Sequence, residues 1–294
     1  MPAPLLVADV PWLLYRSYFA LPKSITDERG EPVNALLGTV NVMLALLETP
    51  PPSGRPRAIV ACTGAEQATY RVELYPPYHG HREPMPAELA AQWCKAPGLL
   101  ESFGWSVPGS ADLEADDVMF SVARDEQERG GRALLVTGDR DLYAAASAEV
   151  AVLELGKGGA PPVELGPEQV RERYGVEPQQ VPDFIALRGD PSDGLPGAPG
   201  IGAKTAAELL REHGTLERLL AAAHAPLPPL RPRIVGALLD NEELLLRFKR
   251  VATLQRIDVA PLAERETDFA AGAAHVRELG MRRLAERLEK LARA

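Results

Sequence analysis

Three carboxylates in four residues, in Leu113-Glu114-Ala115-Asp116-Asp117-Val118-Met119, are the strongest constraint this chain places on its own fold. The stretch opens an apolar-periodic run (Val118, Met119, Val122) that predicts a helix. Glu114 and Asp117 stand three apart, so a helix sets both on one face. Like charges held together repel, and a divalent cation reverses the sign of that cost. A solvated acidic first turn, favoured by the helix dipole, accounts for the same residues without a metal. The stretch alone leaves both readings open.

Three further clusters weigh toward the metal. Asp9 ends the apolar run Pro4-Leu5-Leu6-Val7-Ala8. Asp139 and Asp141 follow Arg132-Ala133-Leu134-Leu135-Val136-Thr137-Gly138, and Asp190 and Asp193 lie in Gly189-Asp190-Pro191-Ser192-Asp193-Gly194. Any one of these aspartates alone reads more commonly as a turn or cap residue. Together they are harder to dismiss, because carboxylates at the C-terminal ends of strands fall where open α/β sheets bind ligands. Hard oxygen ligands of this kind suit Mg²⁺ or Mn²⁺.

With 32 basic and 41 acidic residues the chain carries a formal charge of -9, the wrong sign for a nucleic-acid binder. The clusters hold eight of those acids, and setting the eight aside from 41 leaves 33 acids against 32 bases. If metals neutralise the clusters, the acidic total does not exclude a polyanionic substrate. The 294 residues suffice for one large domain, or a domain with an appendage. No apolar run is long enough to cross a membrane, and no basic segment precedes the first apolar stretch as a signal peptide requires. A disulfide between the two cysteines, Cys62 and Cys94, is not expected. The expectation is a soluble cytoplasmic protein with no membrane partner, and the sequence leaves its oligomeric state open.

Residues 4–10, 58–62, 132–137 and 150–155 read as strands. A helix is expected over 34–49, another from Pro86, and a Pro-rich loop over 50–57. Strands alternating with helices predict a mostly parallel sheet covered on both faces. No strand is expected after about residue 160, which divides the chain into an α/β core over 1–160 and a helical region over 161–294. In the latter, Leu195-Pro196-Gly197-Ala198-Pro199-Gly200-Ile201-Gly202-Ala203-Lys204-Thr205-Ala206 leads into a helical pattern, with a second helix from Thr215. Gly200 and Gly202 permit a tight turn that exposes backbone N–H groups at a helix start, where phosphate binds. This is the pattern of a helix-hairpin-helix, near 195–223, which grips a DNA backbone without reading its sequence.

At this point the residues resemble the 5′ nucleases, or flap endonucleases, a family that includes the 5′-nuclease domain of bacterial DNA polymerase I. The resemblance runs through Leu6-Val7-Ala8-Asp9, Leu14-Tyr15-Arg16, Tyr70-Arg71, Tyr78, Arg82 and Val107-Pro108-Gly109. It continues through Glu114-Ala115-Asp116-Asp117, Thr137-Gly138-Asp139-Arg140-Asp141-Leu142-Tyr143, Gly189-Asp190, Ser192-Asp193 and the Gly200 hairpin. It implies an α/β PIN-like sheet with a helical arch, here near 70–100, followed by the helix-hairpin-helix. No polymerase segment follows, so the resemblance is to a free-standing member. The implied activity is metal-dependent hydrolysis of DNA phosphodiesters at 5′ flaps and 5′ ends.

By that resemblance Asp9, Glu114, Asp116 and Asp117 belong to a first metal region, and Asp139, Asp141, Asp190 and Asp193 to a second. One metal would activate water and the other stabilise the leaving oxygen, about 4 Å apart. Arg71 and Arg82 would hold the scissile phosphate. Tyr78 and His79 would meet the DNA, Tyr78 by offering a stacking face. Gly200, Gly202, Lys204 and Thr205 would grip the duplex, and the resemblance allows a K⁺ ion at the hairpin.

Two positions depart from the family pattern. Gly64, in Cys62-Thr63-Gly64-Ala65, stands where an aspartate is usual, and His79 stands where a lysine is usual. The first departure reads as a vacancy in the first metal region that a carboxylate at 64 would fill, with Asp112 nearby as a substitute ligand or a helix cap. Both departures keep open a catalytically weakened DNA junction-binding protein. A metal-dependent phosphatase is more distant, since small phosphoesters need no duplex grip.

Overall fold

Each apolar run forms a strand because it is short, bounded by turn residues and buried on both faces. In the computed structural model, which describes residues 2–156 and 160–293, β1 (Leu5–Asp9), β2 (Ala58–Cys62), β3 (Ala133–Val136) and β4 (Val150–Glu154) run parallel in the order β2-β1-β3-β4. A fifth strand, β5 (Val163–Leu165), pairs antiparallel with β4 at the edge. This corrects the expectation of no strand after residue 160. Three residues beside a double proline carry no periodic signal, and β4 supplies the pairing that the segment cannot announce.

Alternation along the strands divides the interior into two cores. Leu5, Val7, Val60, Cys62 and Leu135 face one, whereas Leu6, Ala8, Ile59, Ala61 and Val136 face the other. The helices are α1 (Val10–Ala20), α2 (Asn34–Glu48), α3 (Thr69–Leu74), α4 (Ala87–Ser102), α5 (Ala115–Glu128), α6 (Pro167–Tyr174), α7 (Val181–Arg188), α8 (Ala203–His213), α9 (Leu216–Ala223), α10 (Pro232–Leu239), α11 (Glu242–Ala252), α12 (Phe269–Glu278) and α13 (Arg282–Leu291). The core on the Leu5 side joins α5 to α7, α8, α9 and α11. The core on the Leu6 side joins α1, α2 and α4 to α12 and α13. The C-terminal region therefore crosses from one face of the sheet to the other. Of the stretch expected to form an arch, α3 and α4 are the helical parts, and α4 buries Leu89, Ala96, Leu99 and Leu100 in the Leu6-side core.

The glycine turn lies between α7 and α8, and the second helix expected from Thr215 is α9, which Thr215 caps. The prolines and glycines between Gly189 and Gly202 obscured α7, whose eight residues are apolar nearly all round because seven of them are buried. Among the described residues no helix is long and apolar enough to cross a membrane. Cys62 is buried at the end of β2 and Cys94 is exposed, and both are free.

Candidate active site

The acidic clusters meet at the C-terminal ends of β1 and β3. The chain leaves β1 for β2 on one side and later returns as β3 on the other, so this is a topological switch point. Asp9 ends β1 and caps α1, accepting from the Trp12 N–H at 2.9 Å. Its other oxygen accepts from the Thr137 hydroxyl at 2.7 Å. The Thr137 oxygen accepts from the Asp139 N–H at 3.0 Å, and Asp139 accepts from the Asp141 N–H at 3.0 Å. Asp141 is buried at the start of a 3₁₀ turn, whereas Asp139 is exposed. Thr137 thus ties the carboxylates of two strands together.

Glu114 is the N-cap residue of α5, just outside the helix, and its side chain turns away from the cap. It accepts from the Ala68 N–H at 2.9 Å and lies 3.1 Å from Arg71 Nη1. Asp116 and Asp117 occupy the first turn and are buried, with Arg71 Nη2 at 2.8 Å and 3.2 Å. Asp117 also accepts from the Gln255 N–H at 2.6 Å, which ties the segment after α11 to the site. Asp112 is exposed and does not cap α5.

Arg71 departs from the expectation. It is 2% exposed and locked among Glu114, Asp116 and Asp117, so it is not presented to a phosphate. Arginines are usually exposed, which is why the sequence suggested the surface role. The buried guanidinium is the internal counter-ion of the first cluster. Removing one partner of such a buried set costs about 3–5 kcal/mol because charges are left uncompensated.

Tyr78 and His79 are also buried, not offered to DNA. The Tyr78 hydroxyl donates to Glu114 at 3.1 Å, and its ring stacks on His79 with centroids 3.8 Å apart. His79 takes a left-handed φ of 55° and places Nε2 3.1 Å from Asp193. Burial, with Arg82 nearby, lowers its pKa to about 4, so it faces Asp193 as a neutral ring. Arg82 is half-exposed and spans the Ser192 carbonyl and Asp193, both at 3.3 Å. Asp190 accepts from the Ser192 N–H at 2.8 Å and from its hydroxyl.

Above the strand ends lies a cleft of about 430 Å³. Asp9, Glu114, Asp116, Asp139 and Arg82 line it. Its other wall is aromatic, formed by Trp12, Tyr15 and Phe19 of α1 with Trp93 of α4. The sequence reading missed this wall, although Trp12, Tyr15 and Phe19 recur at the i, i+3, i+7 spacing of one helix face. Phe19 is 72% exposed, an apolar ring left in water beside a carboxylate cluster. Asp141 and Asp193 border the cleft's acidic side through Asp139 and Arg82, and neither they nor Asp190 line it.

Burial pushes the pKa of Asp9 up to about 7. Burial and the adjacent Asp116 charge raise Asp117 to about 7, and burial and the Asp190 charge raise Asp193 to about 6. Asp141 is raised well above the usual carboxylate range by burial and by Asp139. The cluster is short of positive charge. Among the described residues no three His, Cys, Asp or Glu side chains close into a metal-holding group as they stand. Arg71 occupies oxygens of Glu114, Asp116 and Asp117. Oxygen donors in excess, with a guanidinium standing in for a cation, fit hard divalent ions.

Gly64 is not the vacancy the sequence suggested. A β-carbon built there stands 2.4 Å from the Ala115 nitrogen and 2.7 Å from the Leu113 carbonyl oxygen. The loop after β2 lies directly on the start of α5, held by the Ala65 N–H to Leu113 carbonyl bond at 2.8 Å. No side chain fits between them.

At the hairpin, Gly200 has φ +77°, and Gly202, the N-cap of α8, has open space around its α-carbon. Lys204 is exposed and Thr205 half-buried in the first turn. The first N–H groups of α8 have no intrahelical acceptor, as at any helix start.

Residues 4–175 match the model of a 5'-3' exonuclease N-terminal resolvase-like domain, and residues 176–275 that of a 5'-3' exonuclease C-terminal SAM fold. A 5'-3' exonuclease of Mycobacterium tuberculosis is 38% identical over 76% of this chain and 74% of its own length. The thermostable DNA polymerase I of Thermus thermophilus is 38% identical over 97% of this chain, which spans 32% of that protein. A bacteriophage T5 flap endonuclease in complex with DNA and metal ions superposes with a TM-score of 0.68 at 19% identity, covering 99% of this chain and 100% of its own. The catalytic core of Rad2 in complex with DNA substrate gives 0.65 at 13% identity, covering 97% and 92%. At these identities the structural likeness is one of fold.

Proposed function

The chain belongs to the 5'-3' exonuclease family and is a 5′ nuclease acting on DNA, and from that premise we propose that it cuts 5′ flaps and 5′ ends in the aromatic-walled cleft. The observation that carries this reading is the cleft itself, where carboxylates and the half-exposed Arg82 face an aromatic wall at a sheet switch point. Asp9, Glu114, Asp116 and Asp117 would hold one divalent ion and Asp139, Asp141, Asp190 and Asp193 another. When bound, such ions supply a nucleophilic water and charge stabilisation at the phosphorus.

The remaining work falls to this chain's own groups. Arg82, tethered to Asp193 and half-exposed, holds the scissile phosphate. Arg71 is a positioning residue that keeps three carboxylates together. Thr137 fixes Asp9 and Asp139 in one arrangement. Trp12, Tyr15, Phe19 and Trp93 offer ring faces to unpaired bases, which stack on aromatics whatever their identity. Duplex bases are already stacked, so the wall favours the single-stranded side of a junction. The α8 start grips the duplex side through its backbone.

The test is cleavage of a labelled 5′-flap duplex with Mg²⁺, with Mn²⁺ and with chelator. Cleavage at the junction with either ion, lost in chelator, is the expected result. A second reading, a junction binder of weakened activity, draws on the occupation of the first cluster by Arg71. Tight flap binding with no cleavage under either metal would select it.

The raised carboxylates make a separate prediction. Asp9, Asp117 and Asp193 bind protons more tightly folded than unfolded. The stability they lend is complete below the ordinary carboxylate range of about 4 and is lost as pH rises through about 6 to 7. His79 runs the opposite way, but above its unfolded value of about 6.5 it adds no further slope. Without metal, the melting temperature is therefore expected to fall between about pH 6.5 and about pH 8. Mg²⁺ or Mn²⁺ should raise it more at the higher pH, because the ions bind deprotonated ligands. A metal-induced shift equal at both pH values, read by thermal melts, would count against carboxylate ligation.

A further inference from the structure

The glycine hairpin has a cationic neighbour from a different helix. Arg233, in the first turn of α10, lies against Gly200 so closely that a β-carbon there would stand 2.6 Å from Nη2 and 3.2 Å from Cζ. The positive φ favours glycine at 200, and the absence of a side chain there lets the guanidinium rest on its α-carbon. Arg231, the N-cap residue of α10, is extended and exposed. Pro232 follows it and fixes the backbone between the two arginines.

Exposed arginines such as Arg173, Arg256 and Arg287 are each paired with a glutamate, so their charge is already committed. Among the described residues neither Arg231, Arg233 nor Lys204 forms an ion pair. The two arginines line a groove of about 390 Å³ together with Gly200 and Thr205. Glu208 and Glu212, one turn apart on α8, line the same groove. Their repulsion would confine a polyanion to the arginine side, next to the open N–H groups of α8.

We propose that Arg231 and Arg233 form a second cationic arm of the hairpin, which takes the phosphodiester backbone of the duplex along the groove between α8 and α10. The proposal rests on the duplex-gripping role of the hairpin and assigns to it two phosphate-binding side chains from outside the motif. Two guanidiniums presented beside a row of backbone N–H groups suit a chain of phosphates better than one isolated anion. Such a grip carries no base information.

The test measures binding of the full-length protein to a fluorescent 5′-flap duplex in chelator, across a salt series. R231A/R233A is expected to weaken affinity about tenfold and to make the salt slope shallower by about two, near 0.9 for each phosphate that is no longer neutralised. R231K/R233K should keep the slope, because the charge is retained. E208Q/E212Q should tighten binding several-fold, the opposite sign. Unchanged affinity and slope in R231A/R233A would overturn the proposal, as would unchanged affinity in E208Q/E212Q. Lys204→Ala separates the two levels of the argument: if it weakens binding while R231A/R233A does not, the arm fails and the hairpin role stands. If neither variant changes binding, the duplex-gripping role of the hairpin fails with it.

Discussion

Asp141→Asn is expected to lower cleavage of a 5′-flap substrate by about a thousandfold or more, some 4 kcal/mol of transition-state stabilisation, while flap binding stays close to wild type. Asp141 is buried at the start of the 3₁₀ turn, within the second acidic set, and among the described residues it forms no ion pair with an arginine. Asparagine keeps its shape, removes the charge and puts an NH₂ donor in place of one acceptor oxygen. The same substitution is expected to raise the melting temperature of the metal-free protein. Asp141 is a buried carboxylate repelled by Asp139 and Asp193, so its charge is a cost in the absence of a cation. Gain of stability with loss of activity is the pattern of a residue kept for function. Asp116→Asn should lose activity equally, but without the gain in stability, because Asp116 is a partner of buried Arg71. Cleavage near the wild-type rate in Asp141→Asn would remove it from the reaction. A fall in its melting temperature would show that Asp141 is a structural residue.

The strands were legible because buried parallel strands read as short apolar runs, and β2 falls where the letters place it. The alternation that sorts Leu5 from Leu6 between two cores was not legible, since both faces are apolar. The acidic clusters were legible as chemistry, and the sheet order explains their meeting. Burial of charged and polar groups was not. Nothing in Tyr70-Arg71 or Tyr78-His79 signals that Arg71, Tyr78 and His79 sit beneath the carboxylates, because that depends on how the segment after β2 settles beside the start of α5. The aromatic wall was half visible, as a periodic stripe on α1. Trp93 joins it from a helix about 80 residues later, a pairing only the tertiary fold can make.

Gly64 is where the sequence was most misleading, and it carries the second large expected effect. An aspartate at this position reads from the letters as one more metal ligand, expected to lower the metal concentration needed for cleavage. The structure reverses that expectation. The atoms nearest a β-carbon at 64 are backbone, the Ala115 nitrogen, the Glu114 carbonyl carbon and the Leu113 carbonyl oxygen. Backbone at a helix start cannot rotate aside as a flexible side chain can. To admit even a methyl group, the loop after β2 must lift off α5, breaking the Ala65–Leu113 bond and displacing Glu114 and Asp116 together. Overpacking of this kind costs about 3 kcal/mol, or roughly 6–12 °C in melting temperature for a chain of this size. Gly64→Ala and Gly64→Asp are therefore both expected to melt earlier, and both should need more metal for half-maximal cleavage. Alanine is the informative control, since it brings the steric cost without a carboxylate. An alanine variant that melts with the wild type would show that the loop yields easily. An aspartate variant with a tighter metal titration would restore the vacancy that the letters suggested.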